Sequence, residues 1–494
     1  MIVNNTIVGW IFVAYIGVTL GIGWVAYKRT QNLADYILGG RSLGPWSSAI
    51  SAGASDMSGW LLLGLPGAAY VSGLSASWIA IGLLAGTWLN WIFMAPRLRV
   101  YSFKASNALT LPEFLEKRFR DKTNMLRVIS AIFILLFFLF YTSSGLVAAG
   151  KLFETVFGLD YQIAVLVGAL AVMSYTMFGG FLAVSWTDLM QGLMMVATLA
   201  IVPLWAMGEL GGVSATFNSI NELNPNLLNW FSDAQGKALS TIGIISAVAW
   251  GLGYFGQPHI LARFAAIKSH KQIPTARRIA VIWSAISLVC AMLIGLIGTV
   301  YIKGDLGDGE TIFMIMVNAL FHPLIAGVLL SAILAAIMST ADSQLLVCSS
   351  ALTEDFYKSL FRKDASQKEL VRVGRLAVVV IAFAAMLLAF NKNSSVLDLV
   401  SYAWAGFGGT FGPVLLLALF WKRSTALGAM AGIVVGGVTV VVWANMTGGI
   451  FDLYEIVPGF IFAGIAMIVM SLLSPEPSEE IQREFDEVVE EARS

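Results

Sequence analysis

The feature that most constrains this chain is a succession of thirteen apolar runs that carry almost no charge. They lie near residues 6–27, 42–72, 74–95, 125–150, 161–178, 187–207, 239–262, 279–302, 311–346, 374–391, 397–421, 424–445 and 453–473. A helix needs about 20 such residues to cross a hydrocarbon core of about 30 Å. The 374–391 run is short, and the 311–346 run is longer than one simple span. Of the 494 residues, 58% are hydrophobic and only 12% charged, more apolar surface than a water-soluble fold can enclose. The chain reads as an all-α integral membrane protein of about 13 transmembrane helices.

Lysine and arginine orient these spans. Loops around 28–41, 97–127, 263–278, 358–375 and 422–423 carry 3, 8, 5, 6 and 2 basic residues. Arg483 and Arg493 in the tail bring that side to 26 of 30, and the other side keeps only Lys151, Lys237, Lys303 and Lys392. By the positive-inside rule the N-terminus lies outside and the C-terminus in the cytoplasm. Net charge is zero, which argues against a nucleic-acid partner. Cys290 and Cys348 sit in apolar runs and read as buried thiols, and His259, His270 and His322 are too scattered for a metal cluster. No signal-peptide pattern opens the chain. After Pro475-Glu476-Pro477 comes an acidic stretch expected to be a solvated tail, although Ile481, Phe485 and Val488 have helical spacing.

Within the second run, Ser42 to Ser72 would make a straight helix of about 46 Å, well beyond the hydrocarbon thickness. Gly53-Ala54-Ser55-Asp56-Met57-Ser58-Gly59-Trp60 stands at its centre. Glycine is a weak helix former, and a charge at mid-membrane costs about 2.5–3.5 kcal/mol. A break at Asp56, forming the floor of a cation and solute site, is therefore expected. A second interruption lies in Trp250-Gly251-Leu252-Gly253-Tyr254-Phe255-Gly256-Gln257-Pro258. Glycine-broken spans at corresponding points of two halves mark inverted-repeat transporters. The division expected is an extra helix and loop at 1–41, five-helix repeats at 42–210 and 239–421 separated by a loop at 211–238, two further helices at 422–473, and the tail at 474–494.

The hydroxyls of Ser339 and Thr340 could meet carbonyls freed by the first break and form the oxygen cage that a hard cation such as sodium needs. Membrane serines and threonines also simply bond their own helix carbonyls. Asp188, opening the sixth run, and Asp342 are either interfacial carboxylates or, with Ser339 and Ser343, a second cation locus. Trp60, Tyr141, Trp250 and Tyr254 lie near the breaks and suit a small zwitterion with an apolar part, although most membrane aromatics are packing or interface anchors. Gly39-Gly40 and Gly179-Gly180 read as turns. No nucleophile–base set, paired-histidine motif or phosphate loop is present. The chain does not read as an enzyme, and transport energy would come from an ion gradient.

Several long strings carry a resemblance: Asp35 to Ser42, Ser51 to Gly64, Phe181 to Asp188, Trp250 to Phe264, Ser331 to Thr340, Gln344 to Glu354 and Ser401 to Phe407. On these the chain resembles the sodium/solute symporter family, most of all its bacterial proline-carrying branch. The resemblance implies a five-plus-five inverted-repeat (LeuT-like) core in the bacterial inner membrane. It implies sodium-coupled import of L-proline by alternating access. It implies sodium held by Asp56, Ser339 and Thr340 with the carbonyls of Ala54, Met57 and Ala336. Proline recognition would fall to Ser58, Gly59, Trp60, Tyr141, Trp250 and Tyr254, and Arg41 would be a functionally sensitive loop arginine. The stretch Ala341-Asp342-Ser343 looks more like members that bind an additional sodium. Another solute (pantothenate, a sugar or a short carboxylate) is the alternative within the family. A cation channel or solute sensor is the alternative outside it.

Overall fold

Serine, threonine and proline decide where the helices begin. Hydroxyls of Thr110, Ser240, Ser366, Ser395 and Thr425 each accept the backbone N–H three residues on, which caps the helix that follows. Pro45 and Pro323 occupy first-turn positions, where no N–H is required. The computed structural model describes residues 5–27, 37–176, 181–304 and 306–493. Asp35-Tyr36 and the expected Gly179-Gly180 turn lie outside these described residues.

The elements, in order, are α1 (Asn5–Tyr27), α2 (Pro45–Asp56), α3 (Gly59–Leu62), α4 (Gly64–Ser72), α5 (Ser77–Lys104), α6 (Leu111–Phe119), α7 (Met125–Phe157), α8 (Tyr161–Thr176), α9 (Phe181–Glu209) and α10 (Val213–Leu223). There follow α11 (Thr241–Val248), a 3-10 stretch Ala249–Gly256, α12 (Pro258–Ala266), α13 (Ile273–Tyr301), α14 (Ile312–Leu320) and α15 (Pro323–Ser350). A π-helical stretch Ala351–Phe361 leads to α16 (Gln367–Ala389), α17 (Val396–Phe420), α18 (Ala426–Trp443), α19 (Ile456–Leu473) and α20 (Glu479–Glu491). Among the described residues, ten helical stretches are long and apolar enough to cross a bilayer, with shorter apolar helices at Tyr161–Met173, Thr241–Gly256 and Gly309–Leu320. Thirteen is thus an approximate count, because Gly59–Lys104 runs on as one apolar stretch.

Three expectations need correction. The long 311–346 run is two helices, split at Phe321-His322, where the His322 Nδ1 accepts the Leu324 N–H at 3.4 Å. The sixth span starts at Phe181, so Asp188 lies inside α9 and is fully buried rather than interfacial. The acidic tail is not simply solvated. Its helix α20 buries Phe485 and Val488, with Phe485 against Tyr101 and over Arg118. Ion pairs join α20 to the basic face: Lys104 to Glu487 (3.2 Å) and Glu491 (3.3 Å), Lys422 to Asp486 (2.6 Å), and Arg120 to Glu480 and Glu484.

The two interrupted spans occupy the interior. The α2–α4 unit packs against α9, α13, α15 and α17, and the 249–256 stretch lies between α5 and α17. Glycine makes the second fit possible. A Cβ on Gly253 would run into the Trp404 indole, and one on Gly251 or Gly86 would strike the facing backbone.

Candidate functional site

The first break is a hydrogen-bond event. The last α2 bond runs from Met57 N–H to Gly53 O at 2.8 Å. Met57 then leaves helical geometry (φ −82°, ψ 69°), and Ser58 is extended (φ −60°, ψ −160°). The Ser58 N–H turns to the Asp56 carbonyl at 2.9 Å instead of the Ala54 carbonyl four residues back. Ala54 O is released from the ladder, and a buried carbonyl needs a partner. Ser339 Oγ donates to it at 2.8 Å and Thr340 Oγ1 at 3.3 Å, both from α15. Ser339 also reaches Ala336 O at 3.2 Å. Ala54, Ala336, Ser339 and Thr340, four members of the expected cage, thus meet at one point, with buried Met57 next to them in the break.

Asp56 adds a carbonyl to one group and a carboxylate to another. Its carbonyl accepts the Tyr141 hydroxyl (2.8 Å) and the Trp60 indole N–H (3.4 Å). Its carboxylate Oδ2 accepts the Tyr254 hydroxyl at 2.6 Å. One backbone turn therefore gathers the aromatic side chains expected from the sequence. Trp60 and Trp250 stand 6.3 Å apart between ring centroids, and Ser58 caps α3. Gly59 belongs to the same turn, where a Cβ would come within 2.8 Å of the Ala148 methyl. Trp250 also lines a cavity of about 390 Å³ together with Ser246, Trp443, Tyr454 and Glu455. The geometry suits an oxygen-bound cation beside a small solute held on aromatic faces.

Trp404 and Tyr454, which sequence reasoning missed, complete the floor together with Gln257 of the second interruption. Trp404 Nε1 donates to Trp250 O at 2.6 Å, Tyr454 stacks on Trp250 at 5.6 Å, and Gln257 Nε2 ties Gly253 O to Trp404 O. The dense glycines of the 249–256 segment were the signal that a large ring would come close.

The Asp188 locus differs from the expected arrangement in one respect. Arg263, assigned to a loop by charge counting, lies in α12 and is 1% exposed. Its guanidinium donates to Asp188 Oδ2 (3.1 Å), Ser343 Oγ (2.6 Å) and Ser51 Oγ (3.0 Å), while Ser51 donates to the same carboxylate oxygen at 2.6 Å. Asp342, one residue before Ser343, is also buried. Arg41 ends a turn in which Gly39, Gly40 and Arg41 all have positive φ. Its guanidinium staples Asn107 Oδ1, Ser102 Oγ, Ala108 O and Ala265 O at 2.7–2.9 Å. Burial pushes this group down to about 10, so it stays charged at neutral pH.

A family model described as the sodium:solute symporter family matches residues 36–436. The high-affinity proline transporter PutP of Bacillus subtilis (strain 168) is 54% identical over 470 residues, covering 94% of this chain and 98% of that protein. The sodium/proline symporter of Escherichia coli (strain K12) is 51% identical over 483 residues, covering 96% and 95%. Among solved structures, a Na+-coupled sialic acid symporter superposes with a TM-score of 0.77 at 23% identity, covering 96% of this chain and 99% of that one. Mhp1, a nucleobase-cation-symport-1 family transporter, gives 0.58 at 15% identity, covering 92% and 99%. Both likenesses concern the fold.

Proposed function

The chain belongs to the sodium:solute symporter family, and from that premise we propose that it imports L-proline by coupling it to sodium entry. The observation that carries the reading is the Ala54 carbonyl, freed by the break and facing Ser339 and Thr340. Sodium bound by these oxygens would fix the break in one geometry. The same turn orders Tyr141 and Trp60 through Asp56 O, so ion and solute share one structural element. The proline ring would lie against Trp60, Tyr141 and Trp250, with its charged groups at Ser58, Gly59 and the α3 N-terminus. Tyr254 would orient Asp56 from below. The repeats would be 42–210 and 239–421, with the N-terminus outside and the tail inside, as the basic residues favour.

Asp188 enters this reading as half of a resident ion pair with Arg263, and Ser343 accepts a hydrogen bond from the same guanidinium. The Arg263 guanidinium supplies the positive charge there, which favours a structural role for that locus over a second sodium.

The test is labelled proline uptake into proteoliposomes with and without an inward sodium gradient, against excess unlabelled proline, pantothenate, sugars and short carboxylates. Sodium-driven uptake displaced only by proline supports the reading. Displacement by another of these solutes reassigns the substrate, and conduction without saturable counterflow replaces the symporter with a channel.

A further inference from the structure

Two carboxylates buried around the first break are neutralised differently. Asp188 has Arg263. Asp56 is 2% exposed, and among the described residues no lysine, arginine or histidine nitrogen lies within 4.0 Å of it. Tyr254 satisfies Oδ2, but Oδ1 has no hydrogen-bond partner. A buried charge left in this condition is costly unless a counter-ion meets it.

The carboxylate lines a cavity of about 10 Å³ whose other walls come from α5, the 249–256 stretch, α12 and α13. Asn90 of α5 contributes to it, is 1% exposed, and has neither side-chain Oδ1 nor Nδ2 paired. Thr87, one turn earlier on α5, and Ser284 of α13 add hydroxyls to the same wall. The lining includes nothing from α15, which carries Ser339 and Thr340. Two orphaned polar side chains from different helices, lining one small and otherwise largely apolar cavity, are a built feature rather than a packing residue.

We propose that this cavity is a sodium locus in its own right, separate from the cage at Ala54, Ser339 and Thr340, with Asp56 Oδ1 and Asn90 Oδ1 as its main ligands and Thr87 and Ser284 as lesser ones. The donors are hard oxygens, one of them anionic, which is the set an alkali ion requires. The volume takes one water-sized species and excludes an amino acid. An ion here pulls on the carboxylate that Tyr254 holds, and Tyr254 packs on Trp404 at 5.0 Å. The locus thereby couples sodium to the aromatic floor by a route that does not pass through α15. This assignment rests on the sodium-coupled reading above.

The test is direct binding of radioactive sodium to the purified full-length protein. In a Ser339→Ala/Thr340→Ala variant, saturable sodium binding is expected to persist. Adding Asn90→Ala should then weaken it about tenfold or more, and Ser284→Ala by less. Ser284→Ala also serves if the asparagine variant fails to fold. The proposal is overturned if the double variant binds no sodium while the wild type does, or if the residual binding ignores both further substitutions. A wild type that binds no sodium removes the coupled reading itself and this locus with it.

Discussion

Asp56 was legible as a residue before any coordinates, because a lone carboxylate in an apolar span must be either functional or expelled. What it touches was not. Resemblance places it in the cage with Ser339 and Thr340, whereas its carboxylate reaches Tyr254, 198 residues away in sequence. Removing that contact by Tyr254→Phe should raise the sodium concentration for half-maximal uptake several-fold, measured at saturating proline, by leaving the carboxylate less well oriented. Thr340→Ala should raise the same quantity through the cage, and Asp56→Asn should raise it most. Unchanged sodium dependence in all three would detach sodium from the break. Arg263 was misplaced because counting basic residues assigns an arginine near a helix end to the loop. Only packing shows that its charge faces inward. Arg263→Gln should destabilise the fold by about 3–5 kcal/mol, because it strands a buried Asp188. Pairing it with Asp188→Asn should restore much of that loss, read as thermal stability in detergent.

Helices and the gaps between them follow unequal rules. Long apolar helices such as α7 and α13 were readable because each satisfies its own backbone. Breaks were readable as composition, from Gly59 and from Gly251, Gly253 and Gly256. Their hydrogen-bond partners were not, because a released carbonyl can be met by any hydroxyl that the fold brings near. Gly253→Ala shows what this implies. Its methyl cannot coexist with the Trp404 indole in its present position, so overpacking of about 1–3 kcal/mol is expected, with weaker proline binding as Trp250 O loses the indole donor. α20 is the opposite case. Its spacing was visible, but docking depends on Tyr101 and Arg118, which sequence cannot place. Phe485→Ala should remove most of the apolar anchor, leaving exposed ion pairs worth about 0.2–1 kcal/mol each. Faster tryptic cleavage at Arg483, which is exposed within α20, is the expected readout.

At the scale of the molecule, the two interrupted spans pack among longer helices, so their irregular backbone meets protein partners. Proline enters as a zwitterion, so the charge moved per turnover is that of the sodium ions alone, one positive charge for each. An imposed potential of 100 mV, negative inside, is then worth about 2.3 kcal/mol per sodium, near a fiftyfold accumulation ratio for each. Reversing the potential in proteoliposomes should abolish accumulation at equal sodium and leave proline exchange intact. The amino-acid sequence determined by itself that this chain lives in a membrane, that two glycine-rich spans are interrupted, and that Asp56 matters. Each of these follows from the cost of moving a nearby group between water and hydrocarbon. Tertiary structure alone decided that Ala54 faces α15, that Asp56 faces α5 and Tyr254, and that Arg263 answers Asp188. Those pairings join residues far apart in the chain, and no local energy specifies which distant helix will supply the partner.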